Sequence, residues 1–364
     1  MSFGKTIKNL RRKHDMTQER LADILSISPQ AVSRWETDVA MPDISLIAPL
    51  CNLFHVTADE LLGINLDSKE ETVKALCDES DKYLNRGYFE KAREILEDGI
   101  RRYPDHCDII EGLMNVAFRQ KNSTGDHKYL EETIKWGEKL LSKSTEDHQR
   151  HSAIQTLCFS YQHVGRLEEA IKMAESMPYM VLSQEMLLTS LYTGDEEYDA
   201  KQNLVSNLLN FLSCELCFLQ TKLDSGKYAY TADECAVLRD KRIALLNLFF
   251  ENGDFGFYHT DLYDAHTDQS IYYLKKGECT QALQHLQLAA EHAIRFITFN
   301  KEERTSLVFR GHGHGSWSAG SSDNTASCLL KDMEQSAFDS VRQTEEFVKI
   351  KEQLSQCAGK WSVK

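Results

Sequence analysis

The sequence predicts an all-α protein built in two parts, and three observations carry that prediction. No proline follows Pro178 in a chain of 364 residues, and a long proline-free run suits helices, whose hydrogen-bond ladder proline breaks. Polar caps recur just ahead of apolar residues spaced three and four apart, above all in the first 66 residues. Beyond them glycines stand at 87, 125, 165, 194, 226, 253 and 277. Their mean interval is about 32 residues, a helical-repeat period, and an aromatic or apolar side chain follows each within four positions.

Charge separates the two parts. Residues 1–66 carry 7 Lys/Arg against 8 Asp/Glu, whereas residues 67–364 carry 35 against 48. Lys5, Lys8, Arg11, Arg12 and Lys13 crowd the near-neutral first part. An acidic bulk repels phosphate, so contact with nucleic acid has to come from that first part. No stretch reaches membrane-spanning length, and the N-terminus lacks the apolar core of a leader peptide, so a cytoplasmic protein without a membrane partner is expected. The 10 cysteines show no framework spacing, which fits a reducing compartment.

Within residues 1–66 the period gives five short helices. Ile7 and Leu10 mark the first. Thr17 caps the second, which carries Leu21, Ala22, Ile24 and Leu25; Ser28 caps the third, with Pro29 at its first position, where the missing N–H costs nothing. Pro42 and Asp43 open the fourth, with Ile44, Leu46, Ile47, Leu50, Leu53 and Phe54 facing inward. Thr57 to Glu60 form a capping box for the fifth, and Val56 can staple onto Leu61. Only Ser26 and Ile27 separate helices two and three, the spacing of a helix-turn-helix. On helix three Val32 and Trp35 are the inward side, so Gln30, Ser33, Arg34 and Thr37 share the outward face. Gln pairs bidentately with adenine, Arg with guanine, and Ser with either base. Gln18, in the first turn of helix two, lies among free N–H groups that suit a phosphate.

The segments Gly4 to Arg12, Thr17 to Ala22, Ser28 to Glu36 and Pro42-Asp43 through Glu60-Leu61-Leu62-Gly63 closely resemble the Cro/C1-type XRE family of bacterial and phage regulators. The resemblance implies a five-helix domain whose third helix enters the major groove of double-stranded DNA, usually as a homodimer. It assigns Gln30, Ser33 and Arg34 to bases and Gln18 to phosphate, with the cap Ser28 and Thr37 at the two ends of the reading helix. It also implies that Arg11 and Glu36 bridge helix one to the end of helix three. Asp38 and His55 stand where the family has Gly, or Asn or Gly; both tolerate positive φ, so the turns can survive.

Residues 67–72 read as a polar linker. From 73 to 300 the best units resemble tetratricopeptide repeats: Tyr83, Gly87, Phe89, Ala92, Leu96 and Pro104; Leu157, Tyr161, Gly165, Leu167, Ala170 and Ala174; Tyr273, Gly277, Ala282, Leu286 and Ala289. Each glycine turns one helix back on its partner, and the small alanines let the pair approach. Residues 301–330 are Gly/Ser-rich and read as a loop, and 331–364 as a C-terminal capping helix with Met333, Phe338, Val341, Phe347, Ile350 and Leu354 on one side.

No catalytic signature is present, so an enzyme is not expected, nor a cofactor or metal. Cys214 and Cys217 form a lone C-x-x-C without a second pair of ligands, and His312 and His314 sit in a glycine-rich loop that reads as solvated. Asn203, Asn207 and Asn210 recur on one helical stripe, and Asn247 interrupts an apolar run; amides so placed can match the backbone of an extended peptide lying in a groove. The expected function is a cytoplasmic bacterial transcription regulator whose repeats sense a ligand, a short peptide or a protein, and dimerise. That pairing of modules resembles the peptide-sensing regulators of Gram-positive bacteria. The alternative is a protein-interaction scaffold with a DNA-docking head.

Overall fold

The computed structural model describes residues 3–62, 66–219, 221–299, 304–313 and 317–363. The chain divides into two compact units, Met1–Asp78 and Glu79–Lys364. In the first, α1 (Phe3–Lys13), α2 (Gln18–Leu25), α3 (Pro29–Glu36), α4 (Ile47–Phe54, led in by a 3-10 turn at Ile44–Leu46) and α5 (Ala58–Leu62) enclose a core of Phe3, Ile7, Leu21, Ala22, Val32, Trp35, Leu50, Phe54 and Leu61. The caps are those the sequence dictates: Thr17 accepts from Arg20 N, Ser28 from Ala31 N, and Thr57 and Glu60 reciprocate. Asp38 and His55 lie at φ 57° and 52°, the left-handed region such side chains tolerate. Asp38 also acts at a distance, because its carboxylate accepts from Gly4 N at 2.7 Å and ties the end of α3 to the start of α1. A Cβ on Gly4 would stand 2.5 Å from Trp35 O, so glycine permits that approach. Ile44, expected inside, is instead 87% exposed, because the chain enters α4 through the 3-10 turn rather than a continuous helix.

One pair of charges is buried in this unit. Arg11 Nε and Nη2 donate to the two carboxylate oxygens of Glu36 at 2.5 and 3.0 Å, and Nη1 donates to Met16 O at 2.6 Å. Burial alone would push the Glu36 carboxyl up. The hydrogen bonds from Arg11 and Gln18, with the charges of Arg11 and Lys8, outweigh it and hold the group below its ordinary value. Removing Glu36 alone leaves a guanidinium buried without its counter-charge, a change that costs about 3–5 kcal/mol.

The second unit is a succession of helices, each packed on its neighbours. The sequence-predicted linker at 67–72 is instead part of α6 (Leu66–Leu84), a helix that runs across the boundary between the units. Lys69, Glu70, Glu71, Lys74 and Ala75 are strong helix formers, so a polar stretch without an apolar stripe still winds. There follow α7 (Phe89–Arg102), α8 (Cys107–Thr124), α9 (His127–Lys143), α10 (Asp147–His163), α11 (Leu167–Ala174), α12 (Gln184–Leu191), α13 (Asp195–Phe218), α14 (Ala232–Phe249), α15 (His259–Lys276) and α16 (Cys279–Thr298). All seven repeat glycines have positive φ. Ala92, Leu96, Leu157, Tyr161, Ala170, Ala282, Leu286 and Ala289 are buried as the repeat register expects, but Leu167 and Ala174 are exposed.

The C-terminal part departs from the expected loop and single helix. Asn324 caps α17 (Thr325–Asp332) inside the segment 301–330, a 3-10 turn covers Ser336–Phe338, and only α18 (Glu345–Cys357) is a long helix beyond 331. Serine, threonine and asparagine, counted as loop signals, act here as helix caps. The apolar residues expected of a cap do pack: Met333, Phe338, Val341, Phe347, Ile350 and Leu354 close over Leu286, Ala289, Ala290 and Ala293 of α16.

Between α15 and α16 lies a ladder of imidazoles. His259 faces His292, and one turn-pair along His266 faces His285, with Nδ1 to Nδ1 separations of 2.8 and 2.9 Å. The two rungs stack through His266 and His292, whose ring centroids are 5.7 Å apart and nearly parallel. Each rung needs one Nδ1–H and one bare Nδ1, so its two rings cannot both be charged, and burial disfavours charge on either. Burial pushes His266 down to about 3 and His292 down to about 4, and lowers His285. A base whose folded pKa is depressed contributes stability above its unfolded pKa, near 6.5, and loses it as pH falls toward the folded value. Thermal melts of the full chain should therefore show the transition of the second unit moving down between pH 7 and 5, by about 2 kcal/mol for each of His266 and His292 at pH 5. A His266→Asn variant should flatten that slope. An identical slope in the variant contradicts the ladder.

Candidate nucleic-acid interface

Helix α2 ends at Leu25, Ser26 caps it in the left-handed region at φ 54°, and the chain re-enters a helix three residues later at Pro29. That turn leaves Val32 and Trp35 in the core and turns the other side of α3 outward. Gln30 and Arg34 are exposed, and among the described residues neither side chain makes a hydrogen bond within the protein. Ser33 is half-buried between them. Two long donors and a hydroxyl on one free helical face are the equipment for reading base edges.

The other expected contact residues are partly committed. Ser28 uses its oxygen to cap α3, and its hydroxyl proton remains available. Thr37 Oγ1 donates to Ser33 O and Arg34 O, at 2.9 and 3.2 Å, so it closes the end of α3 rather than offering a donor outward. Gln18 differs most from expectation. Its Nε2 donates to Glu36 Oε2 at 2.8 Å, which makes it the third member of the Arg11–Glu36 group. The side chain that the sequence offers as a phosphate contact is therefore half an internal brace. Its backbone N–H and carboxamide oxygen still stand at the start of α2. Spacing could not show this, because Gln18 and Glu36 meet only once α2 and α3 are packed.

In the second unit the four asparagines do not form one set. Asn203, Asn207 and Asn210 are all exposed along α13, whose buried side is Gln202, Leu209 and Ser213. Asn203 Oδ1 lies 3.0 Å from His312 Nε2, which takes His312 out of the free loop expected of it; His314 lies outside the described residues. The side chains of Asn207 and Asn210 make no hydrogen bond within the protein among the described residues, and Leu208 and Phe211 stand exposed beside them. Asn247 is exposed on α14 and donates to Ile243 O of its own helix at 2.9 Å, so the interruption of that apolar run is settled locally. None of the four lines the cavity of about 160 Å³ where Cys214 and Cys217 meet Arg239, Arg242, Asp264 and Asp268. Burial, with nearby carboxylates, pushes both thiols up, away from the thiolate that metal binding or disulfide exchange requires. Among the described residues no helix is long and apolar enough to cross a membrane.

The helix-turn-helix family model matches residues 7–61, the part in which this interface lies. The chain is 31% identical over 118 residues to ImmR, an HTH-type transcriptional regulator of Bacillus subtilis (strain 168); the match covers 28% of this chain and 93% of ImmR. It is 36% identical over 63 residues to BcrR, an HTH-type transcriptional activator of Enterococcus faecalis, covering 17% of this chain and 31% of BcrR. Among solved structures, Bacillus thuringiensis PlcR, in complex with the peptide PapR7 and DNA, overlaps 80% of this chain and 94% of its own at 14% identity and a TM-score of 0.30. With nearly all of ImmR matched, and the reading helix, its caps and its brace in place, the chain belongs to the helix-turn-helix, XRE-type family of DNA-binding transcriptional regulators.

Proposed function

We propose that this regulator reads a specific operator with Gln30, Ser33 and Arg34 of α3, works as a homodimer, and senses a short peptide on the exposed side of α13. The free outward face of α3, held by a buried ion pair behind it, is the observation that carries the DNA reading. Replacing Gln30 or Arg34 with Ala should cost about 1–3 kcal/mol at the preferred site and relax base choice at one position. Gln18→Ala should weaken all sequences alike and also lower the melting temperature, because it removes a hydrogen bond to Glu36. Sequencing the DNA retained from a random library by each variant makes the comparison. Identical base preferences across all three variants would refute the assignment.

Dimerisation is supported by the face around α11 and α12. Leu167, Ile171, Leu187 and Leu191 are exposed there, together with the run Tyr179 to Leu182, of which Tyr179 is 78% open to solvent. So much apolar surface on one stretch of chain is the mark of a contact with another macromolecule. A second copy fits a reader of DNA, because paired heads address paired half-sites. Ile171→Glu with Leu187→Glu should halve the sedimenting mass and weaken operator binding. A wild-type chain that sediments as a monomer at micromolar concentration removes this part of the proposal and favours a heterologous protein partner on the same face.

The peptide reading rests on α13, where free amides at Asn207 and Asn210 alternate with exposed Leu208 and Phe211. Such a surface offers a donor and an acceptor to a peptide backbone and apolar contact to its side chains. In calorimetric titrations with culture-derived short peptides, Asn207→Ala should weaken binding, and Asn247→Ala should leave it unchanged. A peptide held equally by wild type and Asn207→Ala excludes this face.

A further inference from the structure

A row of helical hairpins has two ends with no need to meet, since each repeat touches only its neighbours. Here the last segment returns to the first turn. Ala319 N donates to Asn85 O at 3.0 Å, and Arg119 Nη2 to Ala319 O at 2.8 Å. Ser318 Oγ donates to Asn85 Oδ1 at 2.7 Å, Tyr88 OH to Trp361 O at 2.8 Å, and the Arg86 guanidinium lies over the Trp317 ring. Gly87 makes the approach possible, since a Cβ there would stand 2.1 Å from the Ser321 carbonyl carbon. Residues 317–323 thus form a strap on the turn where α6 ends, and α6 is the helix that leads back to the first unit.

Under the strap is a cavity of about 340 Å³, partly open to solvent, lined among others by Phe257, Thr260, Phe296, Trp317, Cys328 and Trp361. Phe296, Trp317 and Trp361 meet edge to face, with centroids 4.7, 4.8 and 5.7 Å apart. The hydroxyl and carboxylate side chains around it are already engaged. Thr260 donates to Phe257 O at 2.8 Å, Thr325 to Ala293 O at 2.6 Å, Ser318 to Asn85, and the Asp323 carboxylate is paired with Lys331 at 2.5 Å. An occupant finds aromatic walls and few polar groups left to satisfy. A charged or strongly polar molecule would lose its water there without replacement. The volume is at the small end of ligand cavities, which run from about 300 to 1,000 Å³, and suits one fused ring system better than a stretch of peptide.

We propose that this cavity binds a small neutral aromatic compound, of indole or phenol size, and that its occupancy holds the strap on the α6–α7 turn. The strap supplies part of the wall, so a molecule that fits the closed cavity favours the closed strap by linkage. This site shares no lining residue with the peptide face proposed on α13, and the two readings stand or fall separately.

The test uses the full chain and indole as the probe. Calorimetry should show saturable one-to-one binding of indole, with zwitterionic tryptophan weaker by at least about ten-fold because its charges have no partner in the cavity. Hydrogen exchange should slow at Ala319 and Trp361, whose amides bond across the strap, more than at the amides of α8 or α9. Thr260→Phe, which places a ring in the cavity from the α15 side, should abolish binding while keeping the melting temperature and DNA affinity. Cys328→Met fills the same space from α17 and serves if Thr260→Phe does not fold. Absence of saturable indole binding, equal binding by a folded filling variant, or protection spread evenly over the chain would each overturn the proposal.

Discussion

A carboxylate and a guanidinium taken out of water together, Glu36 and Arg11, set the geometry on which the DNA-binding unit depends. Glu36 is the last residue of α3 and Arg11 lies in the last turn of α1. The two bonds between them fix where the reading helix ends, and Arg11 also holds Met16 O at the start of the turn into α2. Gln18 completes the group from α2. Three helices thus converge on one buried anion, and neither charge can be left there alone without a cost of several kcal/mol. With its back held this firmly, α3 presents its exposed Gln30 and Arg34 from a fixed helix.

The second unit buries polar groups by the same logic of mutual satisfaction. Arg242 sits beside Asp261 at 3.1 Å and beside Ser213, which itself donates to Asp261. The four histidines of α15 and α16 bond in pairs. Ser270 and Thr325 donate to backbone carbonyls of α16. Each such contact joins two helices at one register only, whereas apolar side chains alone would let them slide. The strap applies the rule over a long separation in sequence, where backbone groups near residue 319 find partners near residue 85.

What is left unsatisfied is therefore informative. The side chains of Gln30 and Arg34 in the first unit, and of Asn207 and Asn210 in the second, have no partner in the protein among the described residues, and α11–α12 exposes Leu167, Ile171, Leu187 and Leu191. Asn247 shows the converse. It is conspicuous in sequence and ordinary in the fold, because an amide on a helix can return to the carbonyl four residues earlier.

The sequence by itself determined the local architecture of this protein: five helices in the first unit with caps at Thr17, Ser28 and Thr57, the short turn before α3, the glycines that reverse the chain, and the apolar residues that close over α16. Those features obey rules that act within a turn or two of helix, where caps, φ preference and periodicity are written in neighbouring residues. The linker that proved helical and the loop that holds α17 differ from expectation for a related reason, since polar helix formers and helix caps look like linker and loop until a neighbour covers them. Tertiary structure alone decided the rest. It tied the Gln18 amide to Glu36, bonded the Thr37 hydroxyl to its own helix, paired four histidines from two helices, and brought residue 319 to residue 85. These are meetings between groups distant in the chain, and side-chain chemistry states only that each needs a partner, not which one the packing will deliver.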